Sequence, residues 1–340
     1  MPKQKVTQFD LARKVITDNP KTTAHRTLGK LLHSKYPLIF KDIERARKVV
    51  LQVMGKAGVG KKHIAQAAVN VSFLDRLAKL RAESKIEEAD HADVTPYLIN
   101  QRFKKVLVIG DTHIPYVDMK ALDIALEYGF NESVDAVIIN GDLLDFTTIS
   151  KYISKPNAPR MLESIEQGKE ILKYIKAALG CKIILHEGNH DIRVENYLIQ
   201  KAPEFWGLPS IELENLLDCK KMHIDYVKNV RTMHFGKLVI AHGNHIVKGV
   251  FAPVNPARGA FTKANASIMI GHCHRSSEHI ETDIKGKVTG CWSVGCLTSV
   301  NPEYNPQVSK HNKGFAVVEL INKEGDFVVD NRKIIDYKVR

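Results

Sequence analysis

The sequence predicts a layered α/β sandwich preceded by a small basic helical domain, and three observations carry that reading. From Lys104 onward, short apolar runs alternate with amphipathic stretches and then give way mostly to strands, the pattern of sheets packed with helices. Five of the apolar runs end in packets of Asp, Asn and His. Almost all of the excess positive charge falls in the first sixth of the chain.

The elements follow in order. Val6–Asp18 places Phe9, Leu11, Ala12, Val15 and Ile16 at helical spacing and stops at the breaker pair Asn19-Pro20. His25–His33 has Leu28, Leu31 and Leu32 on one side, and Asp42–Met54 has Ile43, Ala46, Val49, Val50 and Val53, with Arg45, Arg47 and Lys48 elsewhere on its surface. Three short helices with a basic last one resemble a helix-turn-helix module, and a protein-docking bundle shares the same pattern. Gly55–Lys62 comes close to the phosphate loop G-x-x-x-x-G-K-[ST]. Lys62 stands where a hydroxyl residue would hold magnesium, and a helix precedes it, so the segment reads as a basic hinge. Ile64–Glu88 reads as one longer connecting helix, ended by Pro96.

Beyond it the pattern predicts strand 106–110, a helix near 118–129, strand 135–140, a helix near 160–179 and strand 182–187. Strands 223–228, 231–240, 267–271, 278–284, 287–293, 314–321 and 326–337 follow. The expected organisation is a basic helical domain at 1–62, a helical connector at 63–100 and an α/β domain at 101–340.

Net charge is +12 over 340 residues. Residues 1–62 hold 15 Lys/Arg against 4 Asp/Glu, a balance of +11, and the remainder holds 35 against 34. A concentrated basic segment is the footprint of a polyanion, so nucleic acid, DNA first, is the expected partner of residues 1–62. The sequence leaves the oligomeric state open. No apolar run approaches the roughly 18 residues of a membrane span, so no membrane partner is expected. The N-terminus has no hydrophobic signal segment, and the five cysteines are odd in number without C-x-x-C spacing. The expected setting is therefore the reducing cytoplasm.

The chemistry is concentrated in the five packets: Asp111-Thr112-His113, Gly141-Asp142, Gly188-Asn189-His190-Asp191, His242-Gly243 and Gly271-His272-Cys273-His274. In extended geometry Asp111 and His113 point to one face, as do His272 and His274, with Cys273 turned toward the core. Carboxylate, amide and imidazole donors suit borderline first-row ions such as manganese, iron or zinc. Seven ligands are too many for one tetrahedral ion and suit two, which at about 3.5–4 Å apart can clamp a phosphoryl group. His186, His245 and His279 fall outside the ligand set.

In the order D-x-H, G-D-x-x-D, G-N-H-D, H-G and G-H-x-H, the chain resembles the calcineurin-like metallophosphoesterase superfamily. All five packets lie in order within residues 106–274, and none of the seven ligand positions is substituted. The resemblance implies a four-layer α-β-β-α sandwich and a dinuclear centre in which Asp142 bridges. Asp111, His113 and His274 would complete one ion's set, and Asn189, His242 and His272 the other's. Manganese is the expected ion, with iron, zinc or nickel as alternatives. The resemblance further implies phosphoester hydrolysis by hydroxide bridging the ions. His190 would assist the leaving group, oriented by Asp145, the second acid of G-D-x-x-D. By their positions just after His190 and His274, Arg193 and Arg275 are expected to hold phosphate oxygens, and His245, just after His242-Gly243-Asn244, to be an accessory substrate contact.

Phosphoprotein phosphatases of the superfamily continue G-D-x-x-D with Arg-Gly, whereas Phe146-Thr147 follow Asp145 here. The packets are more similar to the phosphodiesterase and nuclease branches, and Gly188–Leu208 resembles phage-encoded members. The expected function is therefore a nuclease or phosphodiesterase acting on nucleic acid. The alternatives are a phosphomonoesterase for nucleotides or phosphoprotein, and a DNA-binding regulator with a structural metal centre.

Overall fold

A computed structural model describes residues 7–56, 73–84, 92–150, 160–247, 254–299 and 310–340. The chain divides into two compact units, Met1–Asp90 and His91–Arg340.

In the first unit, α1 (Gln8–Asp18), α2 (His25–Lys35) and α3 (Ile43–Val53) enclose a core of Ala12, Val15, Leu28, Leu32, Phe40, Ala46 and Val50. Thr7 caps α1 in a reciprocal box with Asp10, and Asp42 caps α3 by accepting the Arg45 N–H at 2.7 Å. A Cβ on Gly29 would meet Arg47 Cα at 2.9 Å, so glycine lets α2 and α3 approach closely. Arg45 and Lys48 stay exposed, while Arg47 pairs with Glu44. Residues 73–83 are also helical. The rest of the predicted helix, 64–72 and 84–88, contributes only Ser84 to the described residues, and residues 57–62 of the phosphate-loop-like segment fall outside them.

The second unit is a mixed α/β fold with two sheets. One has seven strands in the order β13 (Lys338–Val339), β12 (Phe327–Ile335), β11 (Lys313–Leu320), β2 (Lys105–Ile109), β3 (Ala136–Asn140), β4 (Lys182–His186), β5 (Asp225–Val227). The other has six: β1 (Tyr97–Leu98), β6 (Met233–Phe235), β7 (Leu238–Ala241), β8 (Ile268–Ile270), β10 (Val288–Ser293), β9 (Ser277–Thr282). Strands β2 to β5 run parallel, as do β7, β8 and β10.

The alternation of side chains along each strand builds the layers. Leu107, Ile109, Val137, Ile139, Ile183 and Leu185 pack with α4 (Met119–Asn131) and α5 (Met161–Leu179). Their neighbours Val106, Val108, Ala136, Ile138 and Ile184 face Phe235, Leu238, Ile240 and Met269 of the other sheet. Ala241, Ile268, Ile270 and Cys291 turn outward from that sheet onto Ala257 and Ala260 of α8 (Pro256–Ala264). Helix, sheet, sheet and helix therefore succeed one another in this unit.

Three expectations need correction. Segment 231–240 is a hairpin, because Gly236 at φ 58° reverses the chain between antiparallel β6 and β7. Likewise Asp336 and Tyr337, at φ 50° and 55°, turn the end of 326–337 back into β13. Tyr97 and Leu98, inside the expected connector 63–100, form β1 and pair with β6. Residues 188–222 and 241–266, where no element was expected, hold α6 (Arg193–Lys201), α7 (Leu213–Leu216) and α8. Among the described residues, no helix is long and apolar enough to cross a membrane.

Candidate metal centre

The five packets leave the carboxyl ends of parallel strands in both sheets: Asp111 and His113 after β2, Asp142 after β3, Asn189 and His190 after β4, His242 after β7, and His272 and His274 after β8. Strand ends of an α/β sheet are where side chains from separate segments can meet around a ligand. The D-x-H and H-x-H pairs are not extended, contrary to the reading above. Asp111, His113, His272 and His274 have φ of 50°, 47°, 64° and 53°, and Asp142 has 52°. These left-handed turns right after the strands are sterically costly for residues with a Cβ. Backbone bonds between the loops hold them, from Asp111 N–H to Gly141 O and from His113 N–H to Asp142 O, both 3.0 Å.

Glycine makes the close approach possible. Gly141 sits at φ 85°, and a Cβ there would lie 2.4 Å from His242 Nδ1. A Cβ on Gly188 would lie 2.2 Å from both the backbone N and Oδ1 of Asp142.

The expected ligands gather in two sets, and a third group of His113, Asp145 and His190 adjoins the first. Asp111, His113, Asp142 and His274 offer ligand atoms within 4.8 Å of one another, and so do Asp142, His242 and His272. Asn189 Oδ1 joins the second set at 3.0 Å from His242 Nε2. Asp142 belongs to both. His272 and His274, two residues apart, go to different sets.

The chemistry of the donors fits a cation. His113 Nδ1 donates to Asp145 Oδ1 at 2.9 Å, so the neutral ring keeps its lone pair on Nε2. That atom faces His274 Nε2 at 3.0 Å and Asp142 Oδ2 at 3.6 Å. His242 Nδ1 donates to the Asn140 carbonyl at 2.9 Å, and its Nε2 faces Asp142 Oδ2 at 3.2 Å. His274 Nε2 lies 3.3 Å from Asp111 Oδ1. Imidazole nitrogens and carboxylate oxygens thus converge at the roughly 3–3.6 Å that separates donors sharing an ion with bonds of about 2.0–2.2 Å. The electrostatics agree. Burial opposes charging of His242, yet the Asp142 and Asp111 carboxylates lift its pKa to about 10. Burial and the charge of His242 push His272 down to about 4. The pocket draws in positive charge.

His190 stands beside this centre. Its Nδ1 donates to Asp145 Oδ1 at 2.9 Å, and its ring meets that of His113 edge-on at 4.3 Å. Burial disfavours the charged ring, but the Asp145 hydrogen bond and the Asp142 charge outweigh it, so the pKa is raised. Asp145 itself is held far below the usual carboxylate range: burial opposes this, and the hydrogen bonds from His113 and His190 prevail.

Arg193, the first residue of α6, donates to the Asp145 carbonyl at 2.6 Å and to His190 Nε2 at 3.1 Å. It lines the cleft beside His190 and Asn189. His245 is exposed, with Nε2 at 2.7 Å from Asn229 Oδ1, and Arg275 is half-buried in the chain after His274. Neither is among the described residues lining that cleft.

Sequence reasoning missed three supports. Asn140 bonds the Ala241 carbonyl through Nδ2 at 2.9 Å and offers its own carbonyl to His242. His186, placed outside the ligand set, lies against Asn140 Oδ1 at 3.2 Å. Asp191 accepts backbone N–H groups of Gly188 at 2.8 Å, Leu144 at 3.0 Å and Leu143 at 3.3 Å, tying two ligand loops together. The available signal was a polar residue ending or closely following an apolar run, as in Ile138-Ile139-Asn140.

Two donor sets sharing one carboxylate, with a carboxylate-oriented imidazole alongside, make the site of a metal-dependent phosphoesterase. The chain belongs to the calcineurin-like phosphoesterase family, whose family model matches residues 104–273. It is 30% identical over 178 residues to the Gene 54 protein of Mycobacterium phage L5, covering 51% of this chain and 69% of that protein. The same figures hold for the Gene 54 protein of Mycobacterium phage D29. Among solved structures it is similar to vacuolar protein sorting 29 from Cryptosporidium parvum, at 15% identity and a TM-score of 0.38 over 70% of this chain and 95% of that one. It is also similar to Yfce, a phosphoesterase from E. coli, at 13% identity and a TM-score of 0.33 over 66% of this chain and 96% of that one.

Proposed function

We propose that this protein hydrolyses phosphodiester bonds in nucleic acid, using a dinuclear centre in its α/β unit and the basic residues 1–62 as a docking element. The observation that carries the reading is the placement of His190: oriented by Asp145, bonded to Arg193, and bordering a cleft open beyond the donor sets.

When bound, divalent cations neutralise phosphoryl oxygens and make water acidic enough to attack near neutral pH. The residues supply the rest. Asp142, with Asp111, His113 and His274 on one side and Asn189, His242 and His272 on the other, would hold both ions, with manganese the leading choice. Asp145 accepts the Nδ1 proton of His190 and, with the Asp142 charge, raises the pKa of the ring, so that the charged imidazolium would carry its transferable proton on Nε2. His190 would stabilise or protonate the departing oxygen, and Arg193 would bind a phosphate oxygen through its planar guanidinium. Buried Phe146, in place of the arginine of phosphoprotein phosphatases, favours a diester over a phosphoprotein.

For the docking element, support comes from the charge balance of +11 in residues 1–62 and from the exposed Arg45 and Lys48 of α3. A helix-turn-helix-like role places α3 at a nucleic-acid groove.

The test is metal analysis of the purified protein with a panel of phosphodiesters and phosphomonoesters, including single- and double-stranded DNA and RNA. Manganese-dependent cleavage of nucleic acid, abolished by a chelator, is expected. Turnover of monoesters alone, or no turnover with intact DNA binding, overturns the proposal. Reversing Arg45 and Lys48 to Glu should weaken nucleic-acid affinity and flatten its dependence on salt, by roughly two units of logarithmic slope if both contact phosphates.

A further inference from the structure

The cleft beside His190 continues along one face of α6, away from the donor sets. Its described lining includes Asn189, His190 and His272 at one end. Farther along lie Arg193, Asn196, Tyr197, Gln200 and Lys201, with Thr148 and Ser150 elsewhere in the lining. Positions 193, 196, 197, 200 and 201 recur at the three- and four-residue spacing of one helix face. A flanking face of α6 anchors it, with Val194 buried and Leu198 packed against the main core.

That face has a definite chemistry. Arg193 and Lys201 bring two positive charges, Asn196 and Gln200 bring amides, and no Asp or Glu is among the described lining residues. Tyr197, 45% exposed, stands between the two cations in sequence. A tyrosine so exposed gains little from the core, and its ring is available as a flat apolar platform. From Arg193 to Lys201 the helix advances about 12 Å at 1.5 Å per residue. A stacked nucleic-acid strand advances roughly 3.4 Å per nucleotide, so the face spans some three or four nucleotides. A single phosphoryl group would need only the Arg193 end.

We propose that the α6 face is the binding track for a single-stranded nucleotide chain whose scissile phosphate sits at the donor sets. Tyr197 stacks on a base adjoining the scissile phosphate, and Lys201 binds a backbone phosphate farther along. Cation, aromatic platform and cation in succession are the means by which proteins hold single strands without reading sequence. Asn196 and Gln200 supply hydrogen bonds to base edges or sugar. The inference rests on the phosphodiesterase reading above and deepens it by naming the substrate as a single strand, DNA or RNA.

The test uses the full chain loaded with manganese. Its substrates are a four-nucleotide oligothymidylate, the matching oligouridylate, thymidine 5′-p-nitrophenyl phosphate, and p-nitrophenyl methyl phosphate, which has no base. Tyr197→Ala should raise KM for the oligonucleotide about five- to hundredfold relative to its KM for the methyl ester. Tyr197→Phe should keep most of the wild-type ratio. Lys201→Gln should raise the oligonucleotide KM and flatten its salt dependence. The two arms, oligothymidylate and oligouridylate, show whether the deoxythymidine or the uridine chain is preferred.

A second readout does not need turnover. Tyr197→Trp should show a saturable fluorescence quench on titration with the oligonucleotide, beyond that of the wild type with its two native tryptophans. No quench, together with an unchanged KM ratio in Tyr197→Ala, overturns the inference even if the diesterase reading stands. Sensitivity to Tyr197→Ala without sensitivity to Lys201→Gln, and equal KM for mononucleotide and oligonucleotide, overturns it in favour of a mononucleotide. Failure to hydrolyse any diester overturns the function proposed above, and the quench still decides whether this face takes a nucleotide chain.

Discussion

Asp142 Oδ1 accepts the backbone N–H of His190 at 2.7 Å, and this bond turns the other carboxylate oxygen, Oδ2, toward the donors of both sets. The candidate catalytic histidine and the shared ligand thus fix each other. Replacing Asp142 by Ala should reduce bound metal from about two ions per chain toward zero. His272→Ala should release mainly one. Elemental analysis after gel filtration reads both numbers, and equal loss in the two variants would contradict a shared ligand.

Asp145 Oδ1 receives both His113 Nδ1 and His190 Nδ1, each at 2.9 Å. Asp145→Asn should lower kcat or metal affinity about 10- to 100-fold, as loss of a ligand's supporting carboxylate does. His190→Ala should lower kcat about 10²- to 10⁴-fold with metal content largely retained, because His190 is grouped only with His113 and Asp145, whose carboxylate orients its ring. Steady-state kinetics and metal content measured on the same preparation separate the two roles.

Gly188→Ala tests the close packing of the loops. The added Cβ would lie 2.2 Å from Asp142 backbone N, an atom that cannot swing aside. We expect a destabilisation of about 1–3 kcal/mol and loss of at least one ion. Gly207→Ala makes a useful contrast: nothing lies within 4 Å of its added Cβ, so its cost is confined to the strain at φ 83°. Thermal unfolding with and without manganese checks both.

Asp118 caps α4 by accepting the Ala121 N–H at 3.0 Å, and it also takes bonds from Lys313 and from Tyr337 Oη, the latter at 3.0 Å. Burial tends to raise its pKa, but these bonds and the Lys313 charge lower it below 3.8. A folded pKa below the unfolded one stabilises at pH above the unfolded value, and the stabilisation fades as pH falls through the folded value. Asp118→Asn keeps the cap but loses the charge-assisted bond from Lys313, and should therefore lose stability at pH 5–7, by about 1–2 kcal/mol. It should also unfold less steeply than wild type below about pH 4. Denaturant melts across that range measure it.

Much of this protein is legible in its chain. The runs before Asp111, Asp142, Asn189, His242 and His272 are buried strands, because unbroken apolar runs with no polar alternation have both faces covered. Placing ligand residues directly after such runs already puts them at strand ends. The first three helices were likewise set by local spacing and by the caps Thr7 and Asp42. Local signals failed where tertiary contact decides. The reversal at Gly236 reads as continuous strand until β6 folds back on β7, and α6 carries too few apolar residues to declare itself.

What the sequence determined alone is the inventory: seven donors of the right chemical type, in order, each released from a strand. What spacing alone could not decide, and the resemblance only implied, is their pairing, which the tertiary structure sets. His272 and His274 stand two residues apart yet join different donor sets, because left-handed turns at both send their rings in different directions. Likewise Asp145 comes to serve His113 and His190 together, from positions 32 and 45 residues apart in the chain. Strand order brings such residues together, and strand order depends on long-range hydrogen bonding that no local spacing encodes.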